Sequence, residues 1–294
     1  MRTSRLTILA LACAAAPAFG QGISAPPGAA TDSAAETASP SPIAVTGSAL
    51  LVSDYRFRGV SQSDENVAVE AGVTVAHRSG PYAGFWASNL AGWGTFGGAN
   101  IELDLIAGYK FQPTGNATLD VGVTYYLYPG GADETDFFEP YVKLSGTAGP
   151  LKLTAGVAYA PPQQALGRWY VDGASAAAGV YDDPGDKEDN LYLWGDAAAA
   201  LPGTPLTAKG HLGYSQGDRG LGPNATSVAP TGEYWDWLLG VDATFRNLTL
   251  GVAYVDTDIS RGDAAHLQPS FSKDQDGTGS IADATLAVSL TAAF

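Results

Sequence analysis

The stretch Ile101-Glu102-Leu103-Asp104-Leu105-Ile106-Ala107-Gly108-Tyr109-Lys110-Phe111 decides the fold. Ile101, Leu103, Leu105, Ala107, Tyr109 and Phe111 fall on one parity, and Glu102, Asp104, Gly108 and Lys110 on the other. A period of two places the two sets on opposite faces of a β-strand, whereas a helix would mix them. The same alternation recurs at 118–127, where Leu119, Val121, Val123, Tyr125 and Leu127 oppose Thr118, Asp120, Gly122 and Thr124. It recurs again at 247–256, with Leu248, Leu250, Val252 and Tyr254 against Asn247, Thr249 and Gly251.

Working outward, twelve such segments are expected: about 48–57, 66–77, 81–90, 100–111, 116–128, 136–147, 150–160, 189–200, 205–215, 233–245, 247–256 and 281–294. Each is near the length a tilted strand needs to cross a bilayer's hydrocarbon. The third fits least well, because Phe85 and Trp86 are adjacent and so fall on opposite faces. Arg168-Trp169-Tyr170-Val171 could begin an extra hairpin. The connections alternate between short (78–80, 112–115, 148–149, 201–204, Arg246) and long (58–65, 91–99, 129–135, 161–188, 216–232, 257–280). Short turns on one rim and long loops on the other characterise outer-membrane barrels. Aromatic residues near strand ends fit interfacial girdles: Tyr125, Tyr126 and Tyr128, Phe137 and Phe138, Tyr192 and Trp194, Tyr234, Trp235 and Trp237. These features predict an all-β fold, a transmembrane antiparallel up-and-down β-barrel of about 12 strands.

Composition agrees. Of 294 residues, 45% are apolar and only 15% charged, against about 25% charged in soluble domains. Mean hydropathy is near zero, so apolar and polar residues are interleaved. The net charge of −15 excludes nucleic acid, whose phosphates need a basic partner. Cys13 is the sole cysteine, which leaves no disulfide framework or thiolate metal site.

Residues 1–20 carry Arg2 and Arg5, an apolar run from Leu6 to Ala16, and Ala18-Phe19-Gly20. This reads as a signal peptide cut near Gly20; lipoprotein acylation at Cys13 is the weaker alternative, since the apolar run before it is short. Residues 21–47, rich in Ala, Ser and Pro and free of aromatics, read as a disordered periplasmic tether. Residues 48–294 form the barrel. Its last segment puts Leu286, Val288, Leu290, Ala292 and Phe294 on one face, ending on an aromatic residue. This is similar to the signal read by the barrel-assembly machinery, and Phe294 is assigned that role. The chain is expected in the bacterial outer membrane, in contact with its lipid.

If the apolar faces point outward, the opposite parity lines a lumen with Asp54, Arg56, Arg58, Glu70, Glu102, Asp104, Lys110, Asp120, Glu139, Lys143, Lys152, Asp196, Lys209, His211, Asp236, Asp242 and Asp283. A charge facing lipid near the midplane would cost about 2–4 kcal/mol, so inward placement is close to compulsory. Asp54, Arg56 and Arg58 alternate on the expected first strand beside Glu70, as either a constriction or a structural clasp. The lining fits passive diffusion of ions or small polar solutes. It equally fits an ion-paired lumen in a non-conducting structural barrel, or one whose acidic loops serve adhesion.

An outer-membrane lipase is the enzymatic alternative. His77, His211 and His266 are the three histidines, and none pairs with a suitable serine on an outward strand position. No G-x-S-x-G or H-E-x-x-H run is present. Asp256-Thr257-Asp258 and Asp274-Gln275-Asp276-Gly277 lack the full spacing of an EF-hand loop. No catalytic, metal or cofactor site is assigned.

The run Ser53-Asp54-Tyr55-Arg56-Phe57-Arg58-Gly59-Val60-Ser61-Gln62-Ser63 resembles the opening strand of the TorF-type porin family, outer-membrane proteins otherwise described as conserved hypotheticals. Further likeness lies in Tyr82-Ala83-Gly84-Phe85-Trp86-Ala87-Ser88-Asn89, in Glu102-Leu103-Asp104 with Gly108-Tyr109, and in Asp120-Val121-Gly122 with Tyr125-Tyr126 and Tyr128-Pro129-Gly130. It is strong over 50–130 and looser to Phe294. Loop 161–188 is longer than the family pattern. The resemblance implies location and fold more than a transported solute.

Overall fold

An open sheet of strands with one apolar and one polar face leaves its first and last edges unpaired. Bending the sheet until its first and last strands meet removes the edges and encloses the polar face. The computed structural model, which describes residues 41–92 and 97–294, does this. In chain order the strands are β1 (Ile43–Val52), β2 (Arg56–Phe57), β3 (Val60–Ser61), β4 (Ala68–His77), β5 (Pro81–Asn89), β6 (Ile101–Thr114), β7 (Ala117–Leu127), β8 (Phe137–Ala148), β9 (Leu151–Gln163), β10 (Glu188–Ala200), β11 (Leu206–Arg219), β12 (Thr231–Phe245), β13 (Leu248–Thr257) and β14 (Thr285–Ala293). All except β2 and β3 form one closed barrel of twelve antiparallel strands, each paired with its neighbour in sequence. The barrel closes where β1 meets β14, with Ser48 opposite Ala293 and Val52 opposite Ser289. Phe294 extends this seam: its N–H donates to the Gly47 carbonyl, and its own carbonyl accepts from Gly47. The Phe294 ring lies where a side chain on Gly47 would be.

The predicted alternation holds. Leu105, Tyr109, Val121, Val142, Leu153, Leu212, Leu250 and Leu286 point outward, and together such side chains form an apolar outer band. The awkward pair resolves as parity requires, with Phe85 outside and Trp86 buried within. Short turns at one rim and long connections at the other also follow the expected pattern.

The structure corrects several expectations. The first wall strand runs from Ile43 to Val52 rather than over 48–57, so residues 43–47 belong to the sheet and not to a tether. The expected leader over 1–20, and the expected tether as far as residue 40, lie outside the described residues. Residues 53–67, the Ser53–Ser63 run included, leave the wall and fold inward, with β2 and β3 pairing as a two-stranded hairpin. A strand could not continue here. Arg58 (φ 49°) and Gly59 (φ 80°) take left-handed conformations that reverse the chain. Arg168–Val171 adds no hairpin to the wall; Tyr170 makes a single bridge to Leu221 and is followed by a short helix, α1 (Gly173–Ala177). The last strand starts at Thr285, because residues 258–284 form a long connection carrying α2 (Arg261–His266).

The aromatic girdles are half right. Tyr125, Phe138 and Trp235 face out, but Tyr126, Tyr128, Phe137, Tyr192 and Tyr234 are buried inside. Adjacent residues on a strand cannot share a face. The inner rings need room, and inward glycines supply it. A Cβ on Gly108 would meet Tyr82, one on Gly122 would meet Tyr141, and one on Gly213 would meet the Tyr192 hydroxyl.

Candidate functional site: a lumen closed by an inner hairpin

The inward face carries two layers of polar side chains. Near the short-turn rim is an ionic layer. Asp120 lies between Lys110 at 3.7 Å and Lys143 at 3.4 Å, and it accepts from the Tyr82 hydroxyl at 2.7 Å. The two lysines rest over the Tyr82 and Tyr141 rings, whose hydroxyls touch one another. Across the lumen Lys209 pairs with Asp242 at 2.7 Å. His211 stands between Asp196 (2.6 Å) and Asp236 (3.2 Å), and Asp236 also accepts from the Tyr192 hydroxyl at 2.9 Å. Lys110, Lys143 and Lys209 therefore each have a carboxylate on a neighbouring strand.

Toward the long-loop rim the lumen is packed with buried side chains. The hairpin fills it, and its charged residues meet wall residues distant in sequence. Arg58 donates to Glu139 at 2.5 Å and to Asn190, and it stacks over the Tyr192 and Phe57 rings. The nearby carboxylate favours the charged guanidinium against the cost of burial. Arg56 is held by Asp54 at 2.6 Å and donates to the carbonyls of Gly59 and Asp283. Asp54 also accepts from Ser61 and Ser63. The Tyr55 hydroxyl donates to Glu102 at 3.0 Å, and the Tyr55 ring packs on Trp86 at 5.3 Å. Tyr126 stacks on Phe137 at 4.5 Å and meets Phe57 edge-on. Glu70, Glu102 and Asp104 complete this layer, buried on β4 and β6.

Above the hairpin, the longest connections form a lid of Tyr170, Leu221, Leu267, Phe271 and Ile281, packed on Val60 of the hairpin. Asp64 accepts the Asp274 N–H at 3.0 Å, tying hairpin to lid. Outside the lid, Asp186, Glu188 and Asp218 bring carboxylate oxygens within 4.8 Å of one another, with the Arg168 guanidinium 3.9 Å from Asp218.

Of the seventeen residues expected to line the lumen, Asp54, Arg56, Arg58, Glu70, Glu102, Asp104, Asp120, Glu139, Asp236 and Asp242 are buried; Lys110, Lys143, Asp196, Lys209, His211 and Asp283 are partly buried, and Lys152 is exposed. Asp54, Arg56 and Arg58 reach the lumen from the hairpin and not from a wall strand. The sequence reading missed Tyr55, Trp86, Asn190 and Tyr192, which clamp the hairpin. Parity with Glu102, Asp104 and Asp196 would have placed Trp86, Asn190 and Tyr192 inside.

Several solved structures align with this barrel. The NanC porin aligns over 85% of this chain and 99% of its own, with TM-score 0.50 and 12% identity. The KdgM porin, solved with disordered oligogalacturonate, aligns over 85% and 98%, with TM-score 0.47 and 9% identity. The Acinetobacter baumannii outer-membrane channel DcaP aligns over 86% and 97%, with TM-score 0.38 and 11% identity. At 12% identity the likeness to the NanC porin is one of fold. No curated protein sequence matches the chain. The profile of a bacterial family of unknown function does match, over residues 34–294, and the chain belongs to that family, Gcw_chp.

Proposed function

We propose that this protein is an outer-membrane channel of the porin class that passes ions or small polar solutes, and that the 53–67 segment holds it shut in the present conformation. The observation that carries this reading is how the blockage is attached. Among the described residues the hairpin has no ladder to the wall; beside single backbone bonds such as Ser61 N–H to the Ile281 carbonyl and Ala91 N–H to the Gln62 carbonyl, its grip is side-chain hydrogen bonds such as Arg58 to Glu139 and Tyr55 to Glu102, which water can replace. Behind it the ionic layer offers a charged path to the short-turn rim. The apolar outer band suits lipid, and Phe294 at the closing seam suits recognition by the barrel-assembly machinery. The resemblance to TorF-type porins supports the same reading.

A non-conducting structural or adhesive barrel is the second reading, favoured by the close packing around buried Arg58. Planar-bilayer recordings separate the two. Wild type is expected to open rarely, and the pair Arg58→Ala with Tyr55→Phe to conduct steadily. Silence from both proteins, with folding verified, would leave the structural role standing and remove the channel.

A further inference from the structure

Large apolar side chains that remain exposed lie mostly on the outward face of the wall strands. Val171, Val180 and Tyr181 do not. They stand on the long connection between β9 and β10, where they are 45%, 60% and 54% exposed. Ala174, Ala177 and Ala178, between them in sequence, are exposed as well. The channel reading makes no use of this segment.

The patch is built on the lid and not on the outward wall. Tyr170 belongs to the lid cluster, and Ala176 packs against it. A Cβ on Gly173 would collide with the backbone of Leu267 and Gln268, so α1 lies directly on that turn. His266 donates to the Val171 carbonyl at 3.0 Å. Hydrogen bonds also fix the backbone on either side of α1. The Trp169 and Tyr170 N–H groups donate to the Leu221 carbonyl, Val180 N–H to the Ser175 carbonyl, and Asp182 N–H to the Trp169 carbonyl. The Tyr181 ring stacks on Tyr170 at 5.0 Å and meets Trp169 edge-on at 6.1 Å. Single exposed apolar residues are ordinary on a protein surface, but a group held together in this way marks a docking surface.

The surrounding charge selects the occupant. Asp172 caps α1 at one end of the patch, and Asp182 and Asp183 follow it at the other. The connections 164–187 and 258–284, which meet here, carry nine aspartates against two arginines and two lysines. Arg168 is already engaged by Asp182 at 3.0 Å. Such a surface repels anionic lipid and a second copy of itself, and it attracts cations. An exposed tyrosine ring beside carboxylates offers a guanidinium or ammonium both a π-face and a counter-charge.

We propose that the loop between β9 and β10 is a docking platform for a cationic polypeptide, whose basic side chains meet Asp182 and Asp183 while an apolar side chain covers Val180 and Tyr181. The platform stands whether or not the barrel conducts.

The test presents the full-length protein in nanodiscs to a phage-displayed library of random short peptides. Retained sequences are expected to be rich in Arg and Lys and to carry Leu, Phe or Trp. Their affinity, read from the fluorescence anisotropy of the synthetic peptides, should fall about tenfold or more in Val180→Ser with Tyr181→Ser, the loss expected when a central anchor is removed. Tyr181→Arg, a single exposed change that sets a like charge against the peptide, serves if that pair disturbs the loop. Asp183→Asn should weaken binding at low salt and have little effect at high salt, where exposed charges are screened.

No enrichment, enrichment of neutral or acidic sequences, or equal affinity for wild type and the substituted proteins would each overturn the proposal. Displacement of the peptides by phosphatidylcholine vesicles would overturn it as well, and would name lipid as the occupant.

Discussion

The Arg58 guanidinium and the Glu139 carboxylate meet at 2.5 Å inside the barrel, although 81 residues separate them in sequence. Both are almost fully buried, so the contact sets where the inner hairpin sits. Removing one partner of a buried pair strands the other, at a cost of about 3–5 kcal/mol. Arg58→Ala and Glu139→Gln are each expected to lower the temperature at which the folded barrel loses its compact migration on a gel. Arg58→Lys should rescue little, because one ammonium cannot reach Glu139 and Asn190 while lying flat on Tyr192. A wild-type-like Lys variant would show that charge alone seats the hairpin.

The outer face supplies a depth-graded prediction. Val121 lies midway along β7 and Phe245 beside the Arg246 turn, both pointing outward. In lipid, Val121→Arg should cost about 2–4 kcal/mol and Phe245→Arg only about 0–1 kcal/mol, measured by reversible unfolding in liposomes. Equal costs at the two positions would argue against a bilayer around this band.

Packing inside the wall depends on Gly213. A Cβ there would lie 1.8 Å from the Tyr192 hydroxyl and 2.4 Å from an Asp236 oxygen. Gly213→Ala must therefore displace the ring beneath Arg58. Overpacking of this kind costs about 1–3 kcal/mol. The expected result is a lower unfolding temperature together with loss of the short contact between Arg58 and Tyr192, seen as a change in near-ultraviolet circular dichroism.

Asp120 neutralises Lys110 and Lys143 in the ionic layer. In a barrel opened by Arg58→Ala, adding Asp120→Asn leaves two positive charges facing the passage. Selectivity should shift toward anions, read from the reversal potential in a salt gradient. An unchanged potential would place the conducting path away from β6–β8.

Asp64 links the hairpin to the lid, and its titration has a definite sign. Burial pushes its carboxyl above the usual range, against the opposing pull of the Asp274 N–H it accepts. The folded form therefore holds its proton more firmly than the unfolded chain does. Stability is greatest below the ordinary Asp value and falls as pH rises through the raised one. Asp64→Asn accepts the same N–H without titrating, so heat resistance measured from about pH 3 to about pH 7 should lose that slope.

The wall of this protein was legible in the sequence because its rule is local. Side chains alternate with the pleat, so Ile101 through Phe111 sort themselves into two faces whatever the rest of the chain does. Connection lengths then set the two rims, and a closed sheet is what satisfies the remaining edges. The same rule explains the errors. Asp54, Arg56 and Arg58 also alternate, as a wall strand would, and nothing in their spacing shows that the chain reverses at Arg58 and Gly59. What distinguishes plug from wall is the set of partners: Glu139, Asn190, Glu102 and Tyr192 come from three strands that meet only once the barrel has closed. Sequence periodicity thus determined which way each wall residue faces. Where the chain turns inward depends on the balance of burial and pairing across the lumen, and only the tertiary structure decided that.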